Sequence, residues 1–349
     1  MASPKVLITG ATGYIGGSVI TTILNSSNPS LQNIQISALV RRQEQAEVLT
    51  TLGITPILFT NLDDSEFLTQ TASNFDIVIH AANGYHTASA KALIQGLAER
   101  KAKTGKPVHY IHNSGTSNVA DRPISGANLG ETPRIFSDKE DIYTYEKARE
   151  EKSPYQQRTT DITVFETGAQ TGVPTYIICS PLIYGQGTGL FNKSSIQIPL
   201  LIKAAIARGE AIYVGNGLGI WDHTHIEDIA EFYTLTLSKV LTGENIPSGK
   251  DGFYFVNGGK QTWLDIAKSI AKAGSQLGKI AVEPRSVTLA EASREWFDGD
   301  EQLTELALCS RSVTVGEKSR ELGWKPQKDD SRWEETFTEE FKAALKSEV

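Results

Sequence analysis

The feature that most constrains the fold is a glycine-rich turn near the start of the chain, between an apolar strand and a helix. The segment VLITGATGYIGGS carries Gly10, Gly13 and Gly16 at three-residue intervals directly after a β-rich run. Gly10 and Gly13 allow a tight turn and a close approach of the backbone, while Gly16 allows the helix to pack against the sheet. Because a helix N-terminus offers free N–H groups, this turn suits a pyrophosphate. We expect these residues to bind a dinucleotide: Gly10, Thr12, Gly13, Tyr14, Ile15 and Gly16.

The first half of the chain alternates short apolar runs with helical stretches, which is typical of a parallel sheet covered by helices on both faces. The predicted strands are 5–10, 34–40, 55–60, 75–82, 107–114 and 174–181. Right-handed crossovers between them predict an α/β fold with a doubly wound, Rossmann-type sheet. The regular alternation of apolar strands and helices ends after Tyr184. We therefore predict a cofactor domain over 1–184 and, over 185–349, mainly a smaller substrate-binding lobe interleaved with the last sheet strands.

Composition limits the class of partner. The chain has 349 residues and a net charge of −7, and its lysines and arginines are scattered. This favours a small-molecule substrate over nucleic acid or an anionic membrane surface. Two distant cysteines and no long apolar run favour a soluble protein of a reducing compartment, and we expect a cytoplasmic one. We expect no metal site. The sequence leaves the oligomeric state open, with a homodimer as one alternative.

The end of the second predicted strand bears on the choice of dinucleotide. An acidic residue there would accept hydrogen bonds from a ribose 2′-hydroxyl, but the chain has Arg41 and Arg42. A guanidinium suits a 2′-phosphate, so NADP(H) is favoured over NAD(H). The ends of the third and fourth strands should border the adenine, the pyrophosphate and the ribose. The residues at these two ends are Asn61, Leu62, Ala81, Ala82 and Asn83.

Several segments together resemble the extended short-chain dehydrogenase/reductases, also called the NAD-dependent epimerase/dehydratase family. They are TGATGYIG, VIHAA, NSGTS, SPLIYGQG, WDHTHIEDIA and SRELGWKP, and they span almost the whole chain in order. The resemblance implies a nicotinamide dinucleotide and a catalytic Ser/Thr, Tyr and Lys. In that chemistry the tyrosine exchanges a proton with the substrate oxygen, and the lysine holds the ribose and lowers the pKa of the tyrosine.

The resemblance also suggests where the other site residues lie. Ser114 and Thr116 are the candidates for the catalytic hydroxyl, and Pro181 and Ile183 should line the nicotinamide. The chain departs from many relatives here because it reads Ser-Gly-Thr where they read Ser-Ser, so either hydroxyl can serve. For substrate contacts we single out Tyr85, His86 and Tyr184.

Tyr143 and Lys147 have the spacing of a relay pair, four residues apart, but helix length argues against them. A helix from Tyr143 to the sixth strand would run to roughly 40 Å, whereas a start at Pro154 gives roughly 25 Å, which fits a strand of six or seven residues. Ser153-Pro154 is also a helix-start signature. We therefore predict a separate helix over about 138–151, which carries the pair, and a second one over 154–170.

In the family that the chain resembles, the catalytic lysine lies roughly two dozen residues before the proline that ends the sixth strand. The same interval before Pro181 implies Arg158 near the lysine position and Tyr155 near the tyrosine position. Arginine could anchor a ribose, although its planar fork does not replace an ammonium cleanly. Three alternatives stay open: a Tyr155/Arg158 relay, a Tyr143/Lys147 pair folded over the site, and no intact relay.

The leading functional hypothesis is an NADP(H)-dependent oxidoreductase that reduces a carbonyl of a small organic or secondary-metabolite substrate. A nucleotide-sugar epimerase or dehydratase is the enzymatic alternative. A non-catalytic NADP(H)-binding redox sensor is the third hypothesis, since the relay is atypical.

Overall fold

A computed structural model describes residues 3–127, 134–328 and 330–346, and it has an α/β architecture. The strands, in chain order, are β1 Lys5–Thr9, β2 Gln35–Val40, β3 Thr55–Leu58, β4 Ile77–His80, β5 His109–Gly115, β6 Phe136–Ser137, β7 Thr175–Ser180, β8 Leu182–Tyr184, β9 Ile212–Val214, β10 Ile220–His225, β11 Phe253–Phe255, β12 Gly259–Thr262, β13 Arg285–Val287 and β14 Thr314–Val315. The α-helices are α1 Tyr14–Asn25, α2 Gln43–Thr51, α3 Ser65–Ala72, α4 Thr87–Thr104, α5 Ile142–Lys152, α6 Gln156–Thr171, α7 Gln197–Arg208, α8 Ile226–Thr242, α9 Trp263–Gln276, α10 Leu289–Trp296, α11 Glu301–Leu308, α12 Glu317–Glu321 and α13 Asp330–Lys346. Short 3-10 helices span Pro29–Leu31, Thr116–Val119 and Gly249–Asp251.

The central sheet has seven parallel strands in the order β11-β7-β5-β4-β1-β2-β3. The order reverses between β1 and β4, and the carboxyl ends of strands at such a point form the crevice in which this fold binds ligands. The predicted Rossmann-type fold is confirmed. The strands lie within the predicted apolar runs or extend one residue beyond them, as β5 does.

Each face of the sheet is covered, which explains why the strands are apolar almost without alternation. One core lies between the sheet and α1, α2 and α8. A second lies on the opposite face, under α3, α4 and α6. Strand β7 is buried along its whole length. These two layers hold the carboxyl ends of the strands at one rigid edge.

The C-terminal half adds a strand to the central sheet and also forms a lobe with its own core. Strand β11 pairs with β7, so the sheet is completed by residues beyond 185. The lobe core lies among α7, α9, α10, α11 and α13. Several hydrogen bonds join the lobe to the first half of the chain, and two of them lie close to Tyr155 in sequence or to the end of β5. Ser312 Oγ donates to the Thr116 carbonyl at 2.8 Å, and Gln302 Nε2 donates to the Pro154 carbonyl at 3.0 Å.

The two helices before β7 are separate, as predicted, but both begin later than predicted. Helix α5 starts at Ile142, where the Asp141 carboxylate accepts the Thr144 N–H at 3.1 Å, and Ser137 lies in a short strand instead. Helix α6 starts at Gln156 with Tyr155 as its N-cap, because Ser153 still ends α5 by donating its N–H to the Arg149 carbonyl.

No helix within the described ranges is long and apolar enough to cross a membrane.

A substitution at Gly16 tests the close packing of α1 on the glycine turn. Alanine normally stabilises a helix by up to about 1 kcal/mol relative to glycine. A Cβ at position 16 would lie 2.3 Å from the Gly10 carbonyl oxygen, so we expect Gly16→Ala to destabilise the protein by about 1–3 kcal/mol instead. Urea unfolding measures this change. The half-exposed Thr22→Ala in the same helix is the control, and it should be neutral or slightly stabilising. A more stable Gly16→Ala protein would contradict the packing described.

Candidate active site

The glycine turn between β1 and α1 brings its backbone close to the end of β4. Gly10 has a φ of +71°, and a Cβ there would lie 2.5 Å from the Ala81 carbonyl oxygen at the end of β4. Gly13 is the N-cap of α1 and makes no side-chain capping bond. Since the N–H groups of a first helical turn have no partners within the helix, this turn presents donors and a positive dipole end. The residues therefore fit a dinucleotide pyrophosphate.

The other residues of the turn face the protein rather than the crevice. Tyr14 is buried, and its hydroxyl donates to the Gly185 carbonyl at 2.6 Å. The Thr12 carbonyl accepts the Asn192 N–H at 3.2 Å, and Ile15 packs against the core beside α1. Tyr14 and Thr12 thus hold the loop after β8 against the glycine turn.

Both arginines after β2 are exposed, as binding a 2′-phosphate would require. Arg42 Nε lies 3.2 Å from Glu44 Oε1, and about two thirds of each of these side chains is exposed. Arg41 is exposed at the end of β2. At the end of β3, Asn61 accepts the Asp63 N–H at 2.8 Å and Leu62 is half-buried.

Three residues after β4 form the next border of the crevice. Ala81 is buried, while Ala82 and Asn83 are exposed. The Asn83 side chain accepts the Tyr85 N–H at 2.9 Å, which fixes the turn that carries Tyr85. His86 caps α4 through its Nδ1, which accepts the Ser89 N–H at 3.1 Å, and its Nε2 lies 3.1 Å from Asp63. His86 is therefore engaged by the protein.

A group of uncharged polar side chains surrounds the Tyr155 hydroxyl. The Tyr85 and Tyr155 hydroxyl oxygens are 2.7 Å apart, and the Tyr155 hydroxyl donates to Ser117 Oγ at 3.2 Å. Ser117 Oγ donates to Gln157 Oε1 at 2.7 Å. Tyr155 is 7 % exposed and Tyr85 is 38 % exposed. The hydrogen bond between their hydroxyls therefore links a buried phenol to one that contacts solvent. Burial raises the pKa of the Tyr155 hydroxyl well above its ordinary value, and Tyr85 contributes in the same direction.

The structure places Arg158 beside Tyr155 but does not direct it to the crevice. Its guanidinium carbon lies 5.7 Å from the centre of the Tyr155 ring. The N–H groups of this buried arginine donate to the Asn118 carbonyl at 3.1 Å, to the Ser153 carbonyl at 2.9 Å and to Glu150 Oε2 at 3.2 Å. These bonds hold Arg158 between the helices, so the expectation that it anchors a ribose is not supported.

The structure places Tyr143 and Lys147 on the outer surface of α5, far from Tyr155. Both bind Glu166 Oε1, the Tyr143 hydroxyl at 2.9 Å and Lys147 Nζ at 2.7 Å. Glu166 follows Tyr155 by 11 residues, which along a helix is about 16 Å. This pair is therefore a partly exposed ion cluster, and it does not fold back over the site.

The two predicted hydroxyl residues at the end of β5 differ in their surroundings. Ser114 Oγ donates to Asp161 Oδ2 at 2.5 Å, and Asn118 Nδ2 donates to the same carboxylate oxygen at 2.7 Å. Thr116 is buried, and its Oγ1 has no hydrogen-bond partner among the described residues. Burial raises the pKa of Asp161 to about 7, although the bonds from Ser114 and Asn118 oppose the shift. Ser114 is thus tied to a buried carboxyl group behind the strand end.

The segment after β7 is largely buried. Pro181 is buried and Ile183 is half-buried. Tyr184 is only 1 % exposed, and its ring packs edge-on against the rings of His223, His225 and Trp333. This packing leaves Tyr184 in the core of the protein, so the structure does not support a substrate contact.

Sequence reasoning missed Ser117, Gln157 and Asp161. Ser117 belongs to the quoted NSGTS segment, so the row of hydroxyl residues after β5 was a usable signal. Gln157 lies against Gly84 and Gly115, and Asp161 is bonded to Ser114, so both belong to the face of α6 that meets the ends of β4 and β5.

Comparison with known proteins identifies the family. Residues 6–247 match the family described as NAD dependent epimerase/dehydratase family, and the chain belongs to it. The oxidase ucsJ of Acremonium sp is 29% identical over 308 residues, which cover 83% of this chain and 84% of that protein. A UDP-glucose 4-epimerase of Pisum sativum is 23% identical over 81% of this chain and 85% of its own length.

Solved structures of the same fold cover nearly the whole chain. The dTDP-glucose 4,6-dehydratase DesIV of Streptomyces venezuelae, solved with NAD, has a TM-score of 0.65 at 16% identity over 98% of this chain and 97% of its own. The UDP-glucose 4-epimerase of Thermotoga maritima has a TM-score of 0.63 at 15% identity over 98% and 99%. Identities this low establish the fold alone.

The buried Asp161 predicts a pH-dependent stability. Its folded pKa of about 7 lies above the ordinary unfolded value of about 3.9, so the folded protein keeps a proton that the unfolded chain releases. The stability from this group is complete below pH 4 and is lost as pH rises towards 7, by at most about 1.4 kcal/mol per pH unit. Asp161→Asn removes this contribution to the slope of the unfolding free energy against pH.

Urea unfolding between pH 5 and 8 measures the effect as the difference between the parent and variant slopes. Glu47→Gln changes an exposed helical carboxylate and should leave the slope unchanged. Equal slopes for the parent protein and Asp161→Asn would contradict a buried, protonated Asp161.

Proposed function

We propose that this protein is an NADP(H)-dependent reductase that converts a carbonyl of a small organic molecule into an alcohol. The observation that carries the proposal is the Tyr155 hydroxyl, which is bonded only to uncharged hydroxyls among the described residues. Burial keeps the Tyr155 phenol neutral at pH 7, so it has a proton to give, and its two hydroxyl partners fix the position of its oxygen. Reduction of a carbonyl needs such a donor.

In the proposed mechanism the cofactor, when bound, supplies the hydride. The glycine turn before α1 binds its pyrophosphate, and Arg41 and Arg42 face the 2′-phosphate. Tyr155 donates its proton to the carbonyl oxygen as charge develops there, and Ser117 orients the phenol through their 3.2 Å bond. Tyr85, more exposed and 2.7 Å from Tyr155, returns a proton from solvent to the phenolate. One carbonyl, one NADPH and one proton thus give one alcohol and one NADP⁺.

The C-terminal lobe is the proposed source of substrate contacts. Its bonds from Ser312 and Gln302 bring it to Thr116 and Pro154, directly beside the Tyr155 group. The unpartnered Thr116 Oγ1 is a further hydroxyl at this point.

Nucleotide-sugar epimerisation or dehydration is the alternative that the pea epimerase and the structural neighbours favour. Both reactions begin by removing a proton from an alcohol. A neutral phenol must lose its own proton before it can act as the base for that step, and no lysine among the described residues is bonded to it to assist that loss, which supports reduction instead. An epimerase would convert a UDP-sugar without net loss of NADPH, and product analysis by NMR separates the two functions.

A redox sensor is the alternative that the missing lysine favours. A sensor binds NADP⁺ and NADPH but oxidises no NADPH with any carbonyl tested. Screening NADPH absorbance at 340 nm against aliphatic ketones, aromatic diketones and quinones therefore separates a sensor from a reductase.

Tyr155→Phe tests the proton donor, because it keeps the ring and removes the hydroxyl. We expect kcat for NADPH-dependent carbonyl reduction to fall by about 10²- to 10⁴-fold. Tyr143→Phe is the matched control, since the hydroxyl of this half-buried tyrosine is bonded to Glu166 and Lys147, away from the Tyr155 group, and its loss should leave kcat unchanged. Full activity in Tyr155→Phe would exclude the proposed role.

A double Arg41→Ala, Arg42→Ala variant tests the choice of cofactor. We expect the Kd for NADPH to rise about tenfold or more, because two cations that face the 2′-phosphate are removed. The Kd for NADH, which lacks this phosphate, serves as the internal control and should not change. Fluorescence titration gives both constants. An equal fold-change in the Kd values for NADPH and NADH would show that the arginines do not bind the 2′-phosphate.

A further inference from the structure

Gln157 lies where two strand ends meet beneath the Tyr155 group. The side chain is only 6 % exposed. A Cβ built at Gly115, the last residue of β5, would lie 3.1 Å from both Oε1 and Nε2 of Gln157. A Cβ at Gly84, after β4, would lie 3.4 Å from Nε2. Glycine at these positions leaves the Gln157 amide against the backbone at the carboxyl edge of both strands, where this fold binds its ligand.

The two ends of the Gln157 amide have different roles. Oε1 accepts the Ser117 hydroxyl at 2.7 Å, and Ser117 in turn accepts the Tyr155 hydroxyl. Nε2 makes no hydrogen bond with any residue in the described part of the chain. An amide whose acceptor is bonded within the protein and whose accessible donors are free can donate to a ligand oxygen.

The residue four positions after Tyr155, where a relay lysine would be expected, does not face the Tyr155 hydroxyl group. Thr159 follows Tyr155 by four residues, the interval between Tyr143 and Lys147. Its hydroxyl binds Glu150, at the junction with α5. Arg158 is likewise held by Glu150 and by backbone carbonyls.

We propose that Gln157 is a cofactor-binding residue that takes the place of the missing lysine, with its Nε2 donating to a ribose oxygen on the nicotinamide half. A chain of neutral groups, Tyr155, Ser117 and Gln157, then joins the proton donor to the cofactor. This inference rests on the proposed NADP(H) function.

The test compares cofactor affinities of the purified full chain by fluorescence titration. Gln157→Met keeps the length and removes the donor, and Gln157→Glu keeps the acceptor for Ser117 and removes the donor. We expect both to raise the Kd for NADPH by about three- to tenfold or more, as the loss of a hydrogen bond predicts. Gln170→Met, the same change at an exposed position near the far end of this helix, should leave it unchanged.

Affinity for 2′,5′-ADP, which represents only the adenosine half, distinguishes binding from misfolding. We expect it to be unaltered in Gln157→Met and Gln157→Glu, whereas a general disturbance would weaken both ligands. An unchanged Kd for NADPH in both variants would overturn the inference. If the parent protein binds NADPH but reduces no carbonyl, the proposed reductase function fails while the same Kd values still decide the role of Gln157. A parent protein that binds neither NADPH nor NADP⁺ would overturn both.

Discussion

The Glu150 carboxylate fixes the junction between α5 and α6, and the geometry of the site depends on it. One oxygen, Oε2, accepts the Tyr155 N–H at 3.0 Å and an Arg158 N–H at 3.2 Å, and the other binds the Thr159 hydroxyl. The carboxylate thus supplies an acceptor at the exposed start of α6, where negative charge is also favoured by the helix dipole. Tyr155 is therefore held as the N-cap, with its hydroxyl bonded to Ser117 and its ring edge-on to the Tyr85 ring.

The ionisable side chains near the site are bonded to groups other than the Tyr155 hydroxyl. Arg158 is paired with Glu150, and Asp161 is buried under Ser114 and Asn118. Glu146 is also buried between these groups, and burial raises the pKa of its carboxyl well above the ordinary value. Breaking the pair between buried Arg158 and Glu150 is costly, and the bonds from Ser114 and Asn118 to Asp161 join α6 to the end of β5. By contrast, the groups bonded to the Tyr155 hydroxyl are neutral. This separation is why the site suits proton donation and why it differs from a tyrosine assisted by lysine.

Much of the fold could be predicted from the sequence because its signals are local. The glycine turn, the apolar strands and the break between α5 and α6 each depend on a few neighbouring residues. The start of α6 was predicted two residues early, since the Ser153-Pro154 signature could not show that Glu150 would accept the Tyr155 N–H. The face of α6 that meets the strand ends is set by tertiary packing, which no local pattern shows, so Gln157 and Asp161 were not found. Arg158 was placed by counting back from Pro181, and such a count cannot show that its guanidinium is bonded to Glu150 and to backbone carbonyls.

The C-terminal half shows the same limit. The change of rhythm after Tyr184 was visible, but the return of β11 to the central sheet is a long-range pairing that needs the coordinates. The burial of Tyr184 against Trp333 is a contact between residues almost 150 positions apart, and no local pattern predicts it.

The most direct test of a neutral proton donor is the pH dependence of single-turnover NADPH oxidation with a reactive aromatic diketone, between pH 6 and 9. A protonated Tyr155 with a raised pKa predicts a rate constant that is constant across this range and falls only at higher pH. A rate constant that rises or falls through an apparent pKa near neutrality, and loses this dependence in Tyr155→Phe, would contradict the account.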